Sequence, residues 1–307
     1  MKPLLRDVPV LGREGFARLA YAEWGSPKAT RTIVCVHGVS RNGRDFDALA
    51  ADLAQRGARV IAPDLPGRGR SDWLSSPMHY TDRAYTRAMA TLIARLDVEQ
   101  VDWVGTSLGG HIGMMMAAEP GSPIRQLVLN DFGARVSAAA LRRIGTYLRR
   151  DWRFGSLGEA EAHLREILAP FGALSDAQWR HLAEHSVVED GAGRLRFRHD
   201  PAIAMRFAVP IMLDVVLWKL WDAVECPVLI LRGEKSDLLS AETIEAMMHR
   251  GAAARAGRVR AVEIAGCGHA PALMDAAQIQ VVRDFLLGAD ATPRRARRPS
   301  PSGATSR

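Results

Sequence analysis

The sequence predicts an α/β fold, a doubly wound and mostly parallel sheet with a helical block inserted before its last strands. Three observations carry this expectation. Short apolar runs alternate with helical periodicity from residue 31 to about residue 130. The alternation stops between Gly133 and Asp222, where helical periodicity continues without a clear strand, and resumes as far as Leu287. Gly105-Thr106-Ser107-Leu108-Gly109-Gly110 joins an apolar run to a small-residue helix, the pattern of a sharp strand-to-helix turn. The implied organisation is a core of residues 1–132 and 223–288, a helical cap over 133–222 and a basic tail over 289–307.

Phe16–Trp24 and Arg31–Val36 read as strands separated by the turn Gly25-Ser26-Pro27, the second ending at His37-Gly38. Asp45–Arg56 follows as an amphipathic helix with Phe46, Leu49 and Leu53 on one face. Arg59–Ala62 is a strand, and Tyr80–Leu96 a helix capped by Thr81 or Asp82. The strand Val101–Val104 leads into the Ser107 turn and the helix Leu108–Ala118, followed by the strand Gln126–Asn130. Within the insertion, helices are expected at Leu141–Arg149, Leu157–Leu168, Asp176–Glu184 and Pro201–Trp221. Trp152, Trp179, Trp218 and Trp221 fall there and suit either an apolar pocket lining or the insertion's own core. The strand Val228–Leu231, a helix over Ala241–His249, the strand Val259–Ile264 and a helix over Asp275–Leu287 complete the alternation.

At 307 residues and 48% hydrophobic content, the chain can bury a large core. No membrane span is expected, since no apolar run reaches about 18 residues; the nearest, Ala208–Val224, is broken by Pro210, Asp214, Lys219 and Asp222. The first residues lack an apolar stretch of signal-peptide length, and Cys35, Cys226 and Cys267 read as reduced core residues, so a cytoplasmic location is expected. The net charge is +7, of which the tail contributes +4. That tail reads as disordered and solvated, and no nucleic-acid partner is expected. No cofactor is expected either, because Gly67-Arg68-Gly69 lacks the spacing of a phosphate-binding loop. His181-Leu182-Ala183-Glu184-His185 matches the H-x-x-E-H string and sets two imidazoles one helical turn apart. The sequence offers no third ligand, so it reads as a polar helix face and no metal is expected.

A serine hydroxyl is a poor nucleophile near neutral pH and needs a base and a group to orient that base. For Ser107 the expected base is His269, in the glycine-flanked loop after the last strand. The expected orienting acid is Asp237, on the loop after Val228–Leu231; Asp131, directly after Gln126–Asn130, is the alternative, and Glu234 lies nearer the strand. An oxyanion forming on the substrate needs donors. The expected ones are the N–H of Leu108, at a helix N-terminus, and that of Val39, in the His37-Gly38-Val39 turn. His37 itself reads as a structural hydrogen-bonder.

These segments resemble the bacterial α/β-hydrolases with a helical cap, over roughly residues 14–288. The resemblance is carried by His37-Gly38-Val39-Ser40, Asp64-Leu65-Pro66-Gly67-Arg68-Gly69-Arg70-Ser71, Gly105-Thr106-Ser107-Leu108-Gly109-Gly110, Arg232-Gly233-Glu234-Lys235-Ser236-Asp237 and Gly268-His269. It implies a triad of Ser107, Asp237 and His269 with Val39 and Leu108 as the oxyanion hole. Epoxide hydrolases and haloalkane dehalogenases of this fold carry an aspartate at the turn, so Ser107 points to acyl transfer to water. The expected activity is cleavage of a carboxylic ester of a small molecule through an acyl-enzyme. The alternatives are a carbon–carbon bond hydrolase, a lactonase or thioesterase, an aminopeptidase using the same triad, and a non-catalytic receptor of the same fold. The sequence carries no sign of an oligomeric state.

Overall fold

The computed structural model of the chain describes residues 1–208 and 211–288; the expected tail over 289–307 lies outside the described residues. In chain order the core begins with strands β1 (Leu4–Gly12), β2 (Gly15–Trp24) and β3 (Thr32–Val36), helix α1 (Asp47–Gln55) and strand β4 (Arg59–Pro63). Helix α2 (Asp82–Arg95), strand β5 (Val101–Thr106), helix α3 (Leu108–Ala117) and strand β6 (Ile124–Asn130) follow. The Thr81 side chain caps α2 by accepting from the Ala84 N–H.

The inserted segment holds β7 (Arg135–Val136), α4 (Ala138–Leu148), β8 (Arg153–Phe154), α5 (Leu157–Ile167), α6 (Asp176–Ser186), β9 (Val187–Glu189), β10 (Leu195–Phe197), β11 (Val215–Val216) and α7 (Trp218–Ala223). The chain then returns to the core with β12 (Val228–Gly233), α8 (Ala241–His249), α9 (Ala252–Arg255), β13 (Val259–Ile264) and α10 (Ala276–Leu287).

The main sheet has the order β1-β2-β4-β3-β5-β6-β12-β13. β1 and β2 pair antiparallel with each other, β2 pairs antiparallel with β4, and the remaining neighbours are parallel. The two-residue period of a strand divides its side chains between two layers. In β3, Val34 and Val36 join Leu92, Trp103, Ile112 and Met247 on one side of the sheet. Ile33 and Cys35 join Leu49, Leu53, Val282 and Leu286 on the other. Helices α2, α3 and α8 thus cover one face, and α1 and α10 the other, giving the predicted doubly wound architecture.

β3 and β5 are neighbours, with Val36 opposite Gly105, yet the chain leaves β3 toward β4 and leaves β5 toward β6. Connections diverging from adjacent parallel strands open a crevice at their carboxyl ends, the usual place for a ligand in such a sheet. Ser107 and the His37–Val39 loop both lie at that crevice.

Two expectations need correction. β1 is an additional edge strand; only Val8 and Val10 are buried along it, and Pro9 interrupts its pattern, so its periodicity is faint. The insertion is not purely helical, because it contains a three-stranded sheet (β8-β10-β9) and the β7–β11 pair. These strands have two or three residues each, too few for alternation to register. Pro201–Trp221 is accordingly not one helix: a 3₁₀ segment over Pro201–Phe207 is capped by Asp200, and β11 and α7 come later. The Asp214 carboxylate, by accepting from the Ala138 N–H and Arg135, ties the region before β11 to the start of α4.

Close approach of α3 to the sheet depends on glycine. A Cβ at Gly109 would overlap the Val36 carbonyl, and one at Gly113 would overlap the Trp103 indole. Helix propensity alone would make Gly109→Ala stabilising by about 1 kcal/mol. The expected result is instead a destabilisation of about 3 kcal/mol, because the clash is with backbone that cannot turn aside. A lowered urea midpoint at unchanged m-value is the measurement that checks it.

Candidate active site

Ser107 leaves β5 and opens α3 with φ 52° and ψ −111°. That conformation costs a non-glycine residue about 1–3 kcal/mol, and it persists only where the surroundings impose it. Here the Ser107 N–H donates to the Asn130 carbonyl at 3.0 Å, and a Cβ at Gly105 would overlap the Gly109 backbone. The turn lifts the hydroxyl off the sheet toward the loop after β13.

His269 is on that loop, with its ring mostly buried. The loop is fixed from two sides: the Gly268 N–H donates to the Pro170 carbonyl at 2.7 Å, and the Lys235 N–H donates to the Cys267 carbonyl at 2.8 Å. Gly233 permits the second approach, since a Cβ there would overlap the Gly268 carbonyl. His269 Nε2 lies 2.9 Å from Ser107 Oγ. His269 Nδ1 lies 2.6 Å from Asp131 Oδ2. A carboxylate can only accept, so Nδ1 carries the proton and Nε2 presents a lone pair to the serine hydroxyl. An imidazole held this way can take the hydroxyl proton as the oxygen attacks a carbonyl.

The acid behind the ring is therefore Asp131 and not Asp237. Asp131 has no solvent exposure and adopts φ 53° at the end of β6. Its carboxylate also accepts from the Gly233 N–H at 3.0 Å and from the Ser236 hydroxyl at 2.6 Å. Asp237, the residue after Ser236, points outward. It is about half exposed and forms a two-pronged ion pair with Arg143 at 2.7 and 2.9 Å. Burial pushes the Asp237 carboxyl up, but the Arg143 hydrogen bond and charge outweigh this and hold it below the usual carboxylate range. In this loop the two adjacent residues face opposite ways, Ser236 toward Asp131 and Asp237 toward Arg143. Glu234 also stands off from the ring; its Oε2 accepts from the Gly266 N–H at 2.8 Å.

Leu108 is the first residue of α3, where N–H groups have no intrahelical acceptor and the helix dipole favours negative charge. Val39 lines the same cavity as Ser107 and Leu108. Its orientation comes from His37, which is buried between two backbone groups. His37 Nδ1 is 2.7 Å from the Gly38 carbonyl, and Nε2 is 2.9 Å from the Leu65 nitrogen. An amide N–H can only donate and a carbonyl only accept, so Nδ1 bears the hydrogen and the ring is neutral. Burial pushes the imidazole down to about 3, which keeps it so. The Gly38 carbonyl and the Val39 N–H belong to one peptide plane, and holding the carbonyl aims the N–H. Arg68, fully buried, fixes the next plane by donating from Nε to the Val39 carbonyl at 2.8 Å. Sequence reasoning placed no functional weight on Arg68 or Ser236; each acts through long-range contacts that no local spacing encodes.

A cavity of about 310 Å³ opens at Ser107. Val39, Leu108 and Phe132 of the core face Leu141, Ile144, Phe207 and Ile211 of the inserted segment across it. Its polar wall is Asp82, His111 and Arg206. Asp82 accepts from Arg206 at 2.6 Å and lies 3.2 Å from His111 Nε2, and the His111 hydrogen bond and the Arg206 charge hold its carboxyl well below the usual range. None of the four tryptophans of the insertion lines this cavity. Trp179 packs with Leu164, Leu182 and Met274, and buried Trp221 donates from its indole to the Arg250 carbonyl at 2.6 Å. Trp218 lies beneath the Arg250 guanidinium, and Trp152 packs against His163 with the rings tilted by 41°.

Residues 33–283 match the sequence model described as the alpha/beta hydrolase family. The chain belongs to that family. This hydrolase is 43% identical over 295 residues to a 3-hydroxybutyrate-oligomer hydrolase from Cupriavidus necator, covering 94% of this chain and 99% of that one. A solved structure from Rickettsia typhi aligns with a TM-score of 0.85 and 32% identity over 93% of this chain and 99% of that chain. An alpha/beta hydrolase from Novosphingobium aromaticivorans aligns with a TM-score of 0.79 and 34% identity, covering 92% of this chain and 98% of that one. Among the described residues, no helix is long and apolar enough to cross a membrane.

The His37 geometry gives a test that leaves Ser107 and His269 untouched. His37→Ala frees the Gly38–Val39 peptide, and labelling of Ser107 by a fluorophosphonate is expected to slow by about a hundredfold. Labelling rates of wild type and variant, with circular dichroism to confirm folding, measure the effect.

Proposed function

We propose that this hydrolase cleaves carboxylic esters through an acyl-enzyme on Ser107, and that its substrates are short ester-linked hydroxyacids. The observation that carries the reading is the continuous run of short contacts from Ser107 Oγ through the His269 ring to buried Asp131. His269 Nε2 takes the hydroxyl proton as Oγ bonds to the ester carbonyl carbon. Negative charge collects on the former carbonyl oxygen, where the N–H groups of Val39 and Leu108 receive it. As the tetrahedral species collapses, the carbon–oxygen bond to the alcohol breaks and His269 returns the proton to that leaving oxygen. Water then attacks the acyl carbonyl with His269 again as base, releasing the acid and restoring the serine. Asp131 stays ionised throughout, holding the ring's tautomer and offsetting the imidazolium charge. The segment over 133–222 serves as the cap, supplying the outer wall of the cavity.

The substrate class rests on two supports. The relative from Cupriavidus necator, whose name states an action on 3-hydroxybutyrate oligomers, aligns with nearly the whole chain. The cavity at Ser107 is mainly apolar, with Asp82, His111 and Arg206 as its polar groups. Such a lining suits methyl-branched acyl units while leaving partners for hydroxyl and carboxylate ends.

Two experiments test the reading. Wild type is expected to release monomer from the 3-hydroxybutyrate dimer and trimer and to cleave p-nitrophenyl butyrate, and to leave the matching amides intact; Ser107→Ala abolishes both activities. Cleavage of the amides but not the esters overturns the proposal. Asp131→Asn is expected to lower kcat by about 10³–10⁴, by analogy with removal of the carboxylate in other triads. Asp237→Asn, which removes a half-exposed ion pair, is expected to stay within about threefold of wild type. Steady-state kinetics on both variants, compared at one pH, decide which carboxylate supports the histidine.

A further inference from the structure

The H-x-x-E-H string lies on α6, and the fold supplies the ligand its sequence lacks. Asp47, the first residue of α1, comes from the core to meet the two histidines of the insertion. One ligand atom from each of Asp47, His181 and His185 lies within 4.8 Å of the other two. His181 Nε2 is 3.6 Å from Asp47 Oδ2, and the two imidazoles meet edge to face with centroids 4.5 Å apart. All three residues are half-buried, while Glu184 between the histidines is exposed and turned away. None of the three belongs to the Ser107 site or lines its cavity.

We propose that Asp47, His181 and His185 form a divalent transition-metal site, of the zinc class, that joins α6 of the inserted segment to α1 of the core. Two imidazoles and one carboxylate suit zinc, which favours nitrogen and oxygen donors in a tetrahedron; magnesium and calcium call for oxygen alone. Ligand bonds of about 2.0–2.2 Å place tetrahedral donor atoms about 3.3 Å apart, so the observed separations, 3.6 Å between His181 and Asp47 and no more than 4.8 Å within the group, close by side-chain rotation. Solvent supplies the fourth position at the open side.

One group competes with the metal. Arg44 grips both oxygens of Asp47, and its own carbonyl lies 3.0 Å from His181 Nε2. A bound ion takes over His181 Nε2 and one Asp47 oxygen, displacing that guanidinium. Neighbouring contacts give the exchange a route to the Ser107 site. The Asn42 amide donates to the His185 carbonyl, and Arg41 donates to the Ser186 hydroxyl. Both residues follow Val39 on the same loop, so a metal here stiffens the loop that carries the proposed oxyanion donor.

Calorimetric titration of the full chain with zinc chloride at pH 7.5 tests the site, using zinc alone as the probe. One zinc ion per chain is expected, and His181→Ala or His185→Ala should each weaken binding by on the order of a hundredfold. Fluorophosphonate labelling and circular dichroism of these variants, without metal, should match wild type. Arg44→Ala should bind zinc about tenfold more tightly, because it removes the competing cation. Circular dichroism of Arg44→Ala that matches wild type separates this gain from zinc bound by unfolded chain. Undiminished binding in both histidine variants would assign the zinc elsewhere, and absence of binding by wild type and by Arg44→Ala would eliminate the site. Because none of these readouts is ester hydrolysis, they stand apart from the proposed reaction.

Discussion

The arrangement at Ser107 depends on keeping an ionised carboxylate fully buried. Taking a carboxylate out of water costs several kcal/mol unless hydrogen bonds replace the lost hydration. Asp131 recovers them from three donors: the Gly233 N–H at the end of β12, the Ser236 hydroxyl on the loop after it, and His269 Nδ1 after β13. The carboxylate therefore gathers the carboxyl ends of β6, β12 and β13 into one unit. Losing any donor leaves charge uncompensated as well as misplacing the ring. The positive φ of Asp131 is local strain at the point where these ends are gathered.

The crevice between β3 and β5 supplies the other half. Serine and expected oxyanion donors come from adjacent strands in fixed register, Val36 opposite Gly105, so their separation is set by a sheet and not by loops. Loop geometry enters only after residue 36, and there His37 and Arg68 hold successive peptide planes. Both are buried side chains bonded to backbone, which resist reorganisation when charge appears nearby. That is the requirement for preorganised stabilisation of a forming oxyanion.

Most of the core was legible in sequence because its strands are short apolar runs bounded by glycine, proline or aspartate, and its helices keep a regular apolar face. Ser107 and His269 were legible for a related reason: each sits in a glycine-rich segment that only a tight turn or close approach explains. The acid was misplaced by sequence, which favoured Asp237 over Asp131, since both follow core strands or their loops. Which one faces inward depends on the path of the β12 loop, where Ser236 reaches Asp131 and Asp237 meets Arg143 across 94 positions of chain. The tryptophans were left between two readings, a pocket lining and a packed core, and the structure gives the second. Composition could place Trp179 and Trp221 in the insertion, but only packing shows them buried away from the cavity, which is lined instead by Leu141, Ile144 and Phe207.

The insertion and the site loops are not independent bodies. The Val39 loop is bonded to α6 through Arg41 and Asn42, and the His269 loop is bonded to Pro170 through the Gly268 N–H. Tyr80, after the Gly67–Gly69 turn, donates to Asp200 at 2.5 Å, and the Asp200 N–H donates back to the Gly67 carbonyl. A rigid shift of the inserted segment thus pulls on the elements carrying Val39 and His269 as well as on the cavity wall. Distances of 2.6 and 2.9 Å around an imidazole tolerate little of that before a hydrogen bond is lost. A ligand that fills the cavity therefore presses on the same elements that carry Val39 and His269. In such a molecule, binding energy from acyl groups far from the ester bond can be used to hold the geometry at that bond.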